Sequence, residues 1–250
     1  MIYLDKKIFL LTNLLIGLFA WSDITKLQVP EGFEIQEYVT EIDDARQMVE
    51  GSKFIFVGTK SAGNVYAIDK NNANKVSVIL TELDMPTGVA LKNGDLYIAE
   101  TDTIHVVKNI EEKLSSNKEI TTEIFFSDLP RKTMWNPIKK AWHGWKWIDF
   151  GPDGALYISE GVPCNVCDED DPRYGTILKL ENNNLSIFAD GVRNSVGFDW
   201  HPVSQEMYFT DNGRDWMGDD IPPCELNRVV SPGDHLSLIH ISEPTRPSII

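Results

Sequence analysis

The sequence predicts an all-β fold, and within that class a β-propeller, on three observations. Aromatic residues make up 10% of the chain and are accompanied by 17 Gly and 13 Pro, a composition suited to many short pleated strands joined by tight turns. Period-2 alternation recurs along the chain, and nothing after the N-terminal apolar run sustains a 3.6-residue period. One plan also recurs four times: an apolar stretch, a turn with Gly, Asn or Pro, then alternating residues around an aromatic or Ile, ending near an acid or Gly. Repeats of this size holding about four strands each are propeller blades.

The units are KFIFVGTK from Lys53, GVALKNGDLYIAE from Gly88, IDFGPDGALYISE from Ile148 and FDWHPVSQEMYFTD from Phe198. The centres of their second strands, Ile55, Tyr97, Tyr157 and Tyr208, are spaced by 42, 60 and 51 residues. A third strand follows each, as NVYAI from Asn64, TIHVV from Thr103, GTILKL from Gly175 and LNRVV from Leu226. A fourth reads as KVSVIL, TEIFF and LSIFA, each leading into the next unit. The segment IEEKLSSNKEI from Ile110 reads as one exposed helical turn at most, or as a loop. At about 50 residues per blade, residues 23–235 supply about four blades, so the chain reads as a partial propeller with unpaired strand edges that invite aggregation.

Both ends read as foreign to that domain. Lys6 and Lys7 precede an uncharged run from Ile8 to Trp21, with small or polar residues at Ala20 and Ser22. Residues 1–22 are therefore expected to be a signal peptide, and the protein to be periplasmic or secreted. The run is short for a spanning helix and no second one follows, so no membrane association is expected beyond the leader. At the other end, LSLIHISEPTR (Leu236 to Arg246) resembles a translated sequencing adapter, and residues 236–250 are expected to be a non-native tail rather than a further strand. The net charge is -15, which disfavours nucleic acid and anionic lipid and leaves room for bound cations. The leader carries +1 and the tail zero, so residues 23–235 carry -16.

Several polar residues break the strand alternation. His143 stands just before an innermost strand, amid Trp142, Trp145 and Trp147. Its imidazole either packs structurally at a blade interface or takes a hydroxyl proton at a channel mouth. Arg193 and Asn194 occupy the equivalent place one blade later, where an Arg either caps carbonyls or clamps a carboxylate or developing oxyanion. In TDNGRDWMGDD, the residues Asp211, Asn212, Gly213, Asp215, Asp219 and Asp220 offer oxygen ligands suited to calcium, or form a solvated turn. The acidic run Asp168 to Asp171 reads as a solvated loop, and His105 and His201 take no assigned role.

Together, HGWKWIDFGPDGALYISEG, YGTILKL, GVRNSVGFDWHP, YFTDNG, ELNRV and PGDH resemble the quinoprotein glucose/sorbosone dehydrogenase family, nearer its sorbosone dehydrogenase-like branch, over about Pro30 to His235. The resemblance implies a six-bladed propeller that binds pyrroloquinoline quinone with calcium and oxidises a sugar or sugar aldehyde. It also implies an electron acceptor, a quinone or a cytochrome. By that likeness His143 is the catalytic base, while Arg193, Asn194 and Asn212 contact the cofactor. Carbonyls of Gly213 and Arg214 bind calcium, and Asp219, Asp220 and Glu225 lie where the family places structural calcium. The sequence departs at Arg214, where the family pattern has Pro. The residues that grip the quinone's carboxylates in later blades are expected beyond His235.

Cys164 and Cys167 form a C-x-x-C, read in an exported chain as a local disulfide, with a metal or redox pair as the alternative. Cys224 is the odd one, and Asp168 after Cys167 rules out a c-type haem attachment. Two other readings stay open: a calcium-dependent lactonase-type hydrolase using Glu100, Glu160 and Asp211 at the ends of second strands, and a non-catalytic binding scaffold.

Overall fold

Every hairpin of the repeat becomes part of an antiparallel sheet. The computed structural model describes residues 26–131, 142–165, 167, 169–218, 220–221 and 223–236. The expected leader, all of the expected tail except Leu236, and Asp219 lie outside the described residues. The chain divides into two units, up to Thr40 and from Glu41 onward. In the first, residues 26–40 contain no strand, and a turn closes with Phe33 N–H on the Pro30 carbonyl at 3.1 Å.

The second unit holds four sheets in blade order. Blade 1 is β1 (Ala45–Glu50), β2 (Phe54–Thr59), β3 (Val65–Asp69) and β4 (Asn72–Leu80). Blade 2 is β5 (Gly88–Lys92), β6 (Asp95–Ala99), β7 (Ile104–Val107) and β8 (Glu123–Phe126). Blade 3 is β9 (Ile148–Phe150), β10 (Leu156–Glu160), β11 (Thr176–Glu181) and β12 (Asn184–Asp190). Blade 4 has β13 (Phe198–Trp200), β14 (Met207–Asp211) and β15 (Glu225–Val229), while β16 (Asp234–His235) adds to blade 3 parallel to β12. The all-β, propeller-type expectation holds.

Hydrophobic clusters fill the spaces between successive blades, which explains the repeated aromatic at the centre of second strands. Tyr97 of β6 meets Phe150 of β9 edge-on at 4.8 Å, and Tyr157 of β10 meets Trp200 of β13 at 5.2 Å. Each Tyr packs on the last residue of the next blade's inner strand and so sets the blade spacing. Outer strands β4, β8 and β12 keep most of their side chains exposed or half-exposed.

Two features depart from the sequence reading. The segment from Ile110 is a helix, α1 (Ile110–Ser115), and it is not merely exposed: Ile110 is fully buried between blades 1 and 2. Glu111 on its outer side accepts hydrogen bonds from Ser52 Oγ and from the N–H groups of Lys53 (2.8 Å) and Phe54 (3.2 Å), tying α1 to the β1–β2 turn. An apolar first residue fixes the helix, and a single carboxylate satisfies donors the turn leaves free. The second feature is β1, for which ARQMVE offers little alternation.

Its buried residue is Gln47, which joins three blades. Nε2–H donates to the Ile148 carbonyl at 2.7 Å, and Oε1 accepts from Ile148 N–H (3.1 Å) and Val89 N–H (3.2 Å). Replacing Gln47 with Leu leaves those backbone groups buried and unpaired, at about 1–3 kcal/mol each. Urea denaturation of Gln47→Leu should show a loss of at least about 2 kcal/mol with an unchanged m-value; a loss within about 0.5 kcal/mol would refute this role.

Candidate functional site

The four innermost strands begin around one cavity of about 420 Å³. Arg46 comes from β1, Lys60 from the end of β2, Trp145 and Lys146 from the approach to β9, and Asn194 from the approach to β13; Asn212 follows β14. In a chain of charge -15, none of the described residues that line this cavity is Asp or Glu, and Asp44 pairs with Arg46 at its edge, 3.2 Å away. Lys60 Nζ sits 3.7 Å over the Trp145 ring, and burial, then the charge of Arg46, hold its ammonium below the ordinary value. Cations and amides around a flat indole suit a planar anion.

His143 lies beside this cavity rather than on its wall, with Trp145 edge-on at 5.9 Å. Its backbone is left-handed (φ 54°), and a Cβ at Gly161 would come within 2.6 Å of the His143 Cβ, so that position accepts only Gly. The ring's tautomer follows from its partners. Val162 O, 2.8 Å from Nδ1, can only accept, so Nδ1 carries the hydrogen and Nε2 keeps its lone pair. Trp142 Nε1–H donates to that lone pair at 2.9 Å. Burial, then the nearby Arg193 charge, push the imidazole's pKa down to about 4. At neutral pH His143 is therefore an uncharged base whose accepting atom is covered by an indole N–H.

The turn before β13 and the turn after β14 are stitched together. Asp211 accepts from Arg193 N–H (2.9 Å) and Asn194 N–H (2.7 Å), and Asn212 N–H donates to the Asn194 carbonyl (3.1 Å). The Arg193 guanidinium is 2% exposed and caps carbonyls, with Nη1 donating to Asn212 O and Nε to Asn165 O. Arg193, Asn194 and Asn212 thus come together, and only the two Asn line the cavity. Gly213 and Arg214 follow directly, with the Arg214 Nε turned toward Met217 Sδ. Asp220 is exposed and Glu225 opens β15. Among the described residues, no three His, Cys, Asp or Glu side chains cluster to hold a metal.

The acids at the ends of second strands have structural partners. Glu100 accepts from Asp84 N–H and pairs with His105, and Asp211 is taken up as above. Glu160 faces Lys146 at 2.6 Å, both side chains fully buried. The contact misses directed hydrogen-bond geometry, leaving Lys146 Nζ and both Glu160 oxygens without hydrogen-bond partners among the described residues. Burial pushes the Glu160 carboxyl up to about 7 against the pull of Lys146. Cys164 and Cys167 are bridged, and Cys224 is a free, exposed thiol.

Sequence reasoning missed Arg46, Lys60, Gln47 and Asn165. Lys146 carried a usable sign, a Lys set among Trp residues just before an apolar strand.

No protein-family model matches the chain. A protein of Borreliella burgdorferi described as an uncharacterized protein is 32% identical over 252 residues, covering 95% of this chain. The chain spans 62% of that relative's length. Among solved structures, the PQQ-bound aldose sugar dehydrogenase of Streptomyces coelicolor superposes with a TM-score of 0.60 at 17% identity, covering 80% of this chain and 64% of that one. The holo PQQ domain of a pyranose dehydrogenase from Coprinopsis cinerea gives 0.54 at 10% identity, over 76% of this chain and 48% of that one. A calcium structure of a Trichoderma reesei family AA12 carbohydrate-active enzyme gives 0.54 at 16% identity, over 74% and 51%. At these identities the likeness is one of fold.

Proposed function

We propose that the complete protein is an exported quinoprotein dehydrogenase that oxidises a sugar or sugar aldehyde with pyrroloquinoline quinone. The observation that carries this reading is the cavity wall, which is cationic, amide-bearing and aromatic in an otherwise acidic protein. A planar tricarboxylate fits that donor set: Lys60 would meet a carboxylate beside Arg46, which is paired with Asp44, while Asn194 and Asn212 offer amide donors and Trp145 a flat ring. The similar propellers of the Streptomyces and Coprinopsis proteins, whose names include PQQ, support the same cofactor class. The Cys164–Cys167 bridge supports an oxidising compartment, periplasmic or extracellular.

When bound, the quinone supplies the two-electron acceptor chemistry that side chains lack. This chain supplies the base and the shape. His143, neutral and fixed through Nδ1–H, takes the substrate's hydroxyl proton at Nε2, which requires the Trp142 indole to give way as substrate enters. Calcium would rest on the carbonyls of Gly213 and Arg214, with Asp219, Asp220 and Glu225 as a further acidic site. The test is dye reduction by the complete protein with quinone, calcium and a panel of aldoses. Sugar-dependent reduction is expected; a protein that binds quinone yet oxidises no sugar would overturn the reading.

A further inference from the structure

We propose that Asn165, held between the bridged Cys164 and Cys167, is the positioning residue for Arg193 and for the turn that carries Gly213 and Arg214. It rests on the quinone reading only for the identity of the ligand. Asn165 joins blade 3 to both turns of blade 4. Its backbone carbonyl accepts from Arg193 Nε at 2.9 Å, and its Oδ1 accepts from Arg193 Nη2 at 2.8 Å, so the guanidinium is gripped at two edges. The same Oδ1 accepts from Asp215 N–H at 2.8 Å while Nδ2–H donates to Asp215 O at 3.2 Å, a two-point pairing of side-chain amide with peptide. These partners fix the amide's orientation, since Oδ1 meets two donors and Nδ2 meets an acceptor.

The bridge closes a four-residue ring around Asn165, which holds it at the guanidinium. Arg193 then has Nη1 on Asn212 O, so Asn165 also sets where the Asn212 amide stands at the cavity wall. Asn165 touches neither cavity nor base. Its effect reaches them through Arg193 and Asn212.

Three variants test this: Asn165→Ala, Asn165→Asp and the double Cys164→Ser/Cys167→Ser. Two readouts apply, phenylglyoxal modification of Arg193 mapped by peptide mass spectrometry, and the Kd for pyrroloquinoline quinone. Asp keeps both acceptor contacts of Oδ1 and adds a charge beside Arg193, but replaces the Nδ2 donation with an oxygen that faces the Asp215 carbonyl. The parent's buried Arg193 should be protected; Asn165→Ala and the Ser pair should expose it and raise Kd about tenfold, and Asn165→Asp should stay near the parent in protection and within about threefold in Kd. Unchanged Arg193 protection in both Asn165→Ala and the Ser pair overturns the inference. If Asn165→Ala fails to fold, protection in the folded Ser pair decides it. Exposure of Arg193 in proteins that bind no quinone upholds the positioning role and defeats the quinone reading; quinone binding with unchanged protection does the reverse.

Discussion

Glu160→Ala should cost about 3–5 kcal/mol of stability in urea denaturation above the carboxyl's pKa of about 7, where the pair is fully charged. Lys146 and Glu160 are both fully buried and 2.6 Å apart, so removing one leaves the other desolvated without its counter-charge. Lys146→Met should cost a similar amount. The double variant Lys146→Met/Glu160→Leu should lie within about 1–2 kcal/mol of the parent, because it removes both desolvation penalties together. The cycle therefore reports a large coupling energy. Single losses below about 1 kcal/mol would show that water reaches the pair. Lys146 N–H and O both meet Thr87 Oγ1, at 3.0 and 2.9 Å. The pair thus anchors the segment between His143 and β9, and its loss should disturb the site as well as the fold.

His143→Ala should lower sugar turnover by about 10²–10⁴-fold while leaving the Kd for quinone within about threefold, since a positioned general base contributes on that scale and the ring is not on the cavity wall. The pH profile gives a second reading. The imidazole's pKa is pushed down to about 4 by burial and Arg193, so the active, neutral form persists well below the ordinary histidine value of 6.5. Turnover should fall on the acid side only as pH approaches about 4. An acid limb near 6.5 would mean that the working base is a solvated imidazole and not the buried ring described here. Trp142→Phe removes the indole N–H from Nε2 and should leave the base active.

Much of the fold was legible in the sequence because second and third strands are short, mostly apolar runs bounded by turns and pack against neighbouring blades. The apolar residues of β6 and β10 are all buried, as are Met207 and Phe209 of β14, and the polar Ser159, Glu160 and Asp211 are buried with them. β1 was not legible: its buried side chain is Gln47, and its Met48 is 62% exposed, so the alternation is inverted in polarity. What buries Gln47 is a set of backbone groups from two other blades, invisible in local sequence. The helix α1 was underread because its anchor, Ile110, is one residue in an otherwise polar segment.

The site was legible where a polar residue interrupts a strand pattern. His143, Arg193, Asn194 and Asn212 stood out for that reason, and the structure gathers the last three into one stitched pair of turns. Arg46 and Lys60 read in sequence as an ordinary exposed strand end, and only the gathering of the four blades' strand starts places them at the cavity, where Arg46 stays exposed and pairs with Asp44.

The central claim is that this cavity receives a planar carboxylate-bearing quinone. Isothermal calorimetry of pyrroloquinoline quinone titrated into the complete protein with calcium tests it most directly. Saturable one-to-one binding is expected, weakened about tenfold by Lys60→Ala, as loss of a charge-assisted contact requires. No saturable binding, or binding indifferent to Lys60→Ala and Asn212→Ala alike, would contradict it.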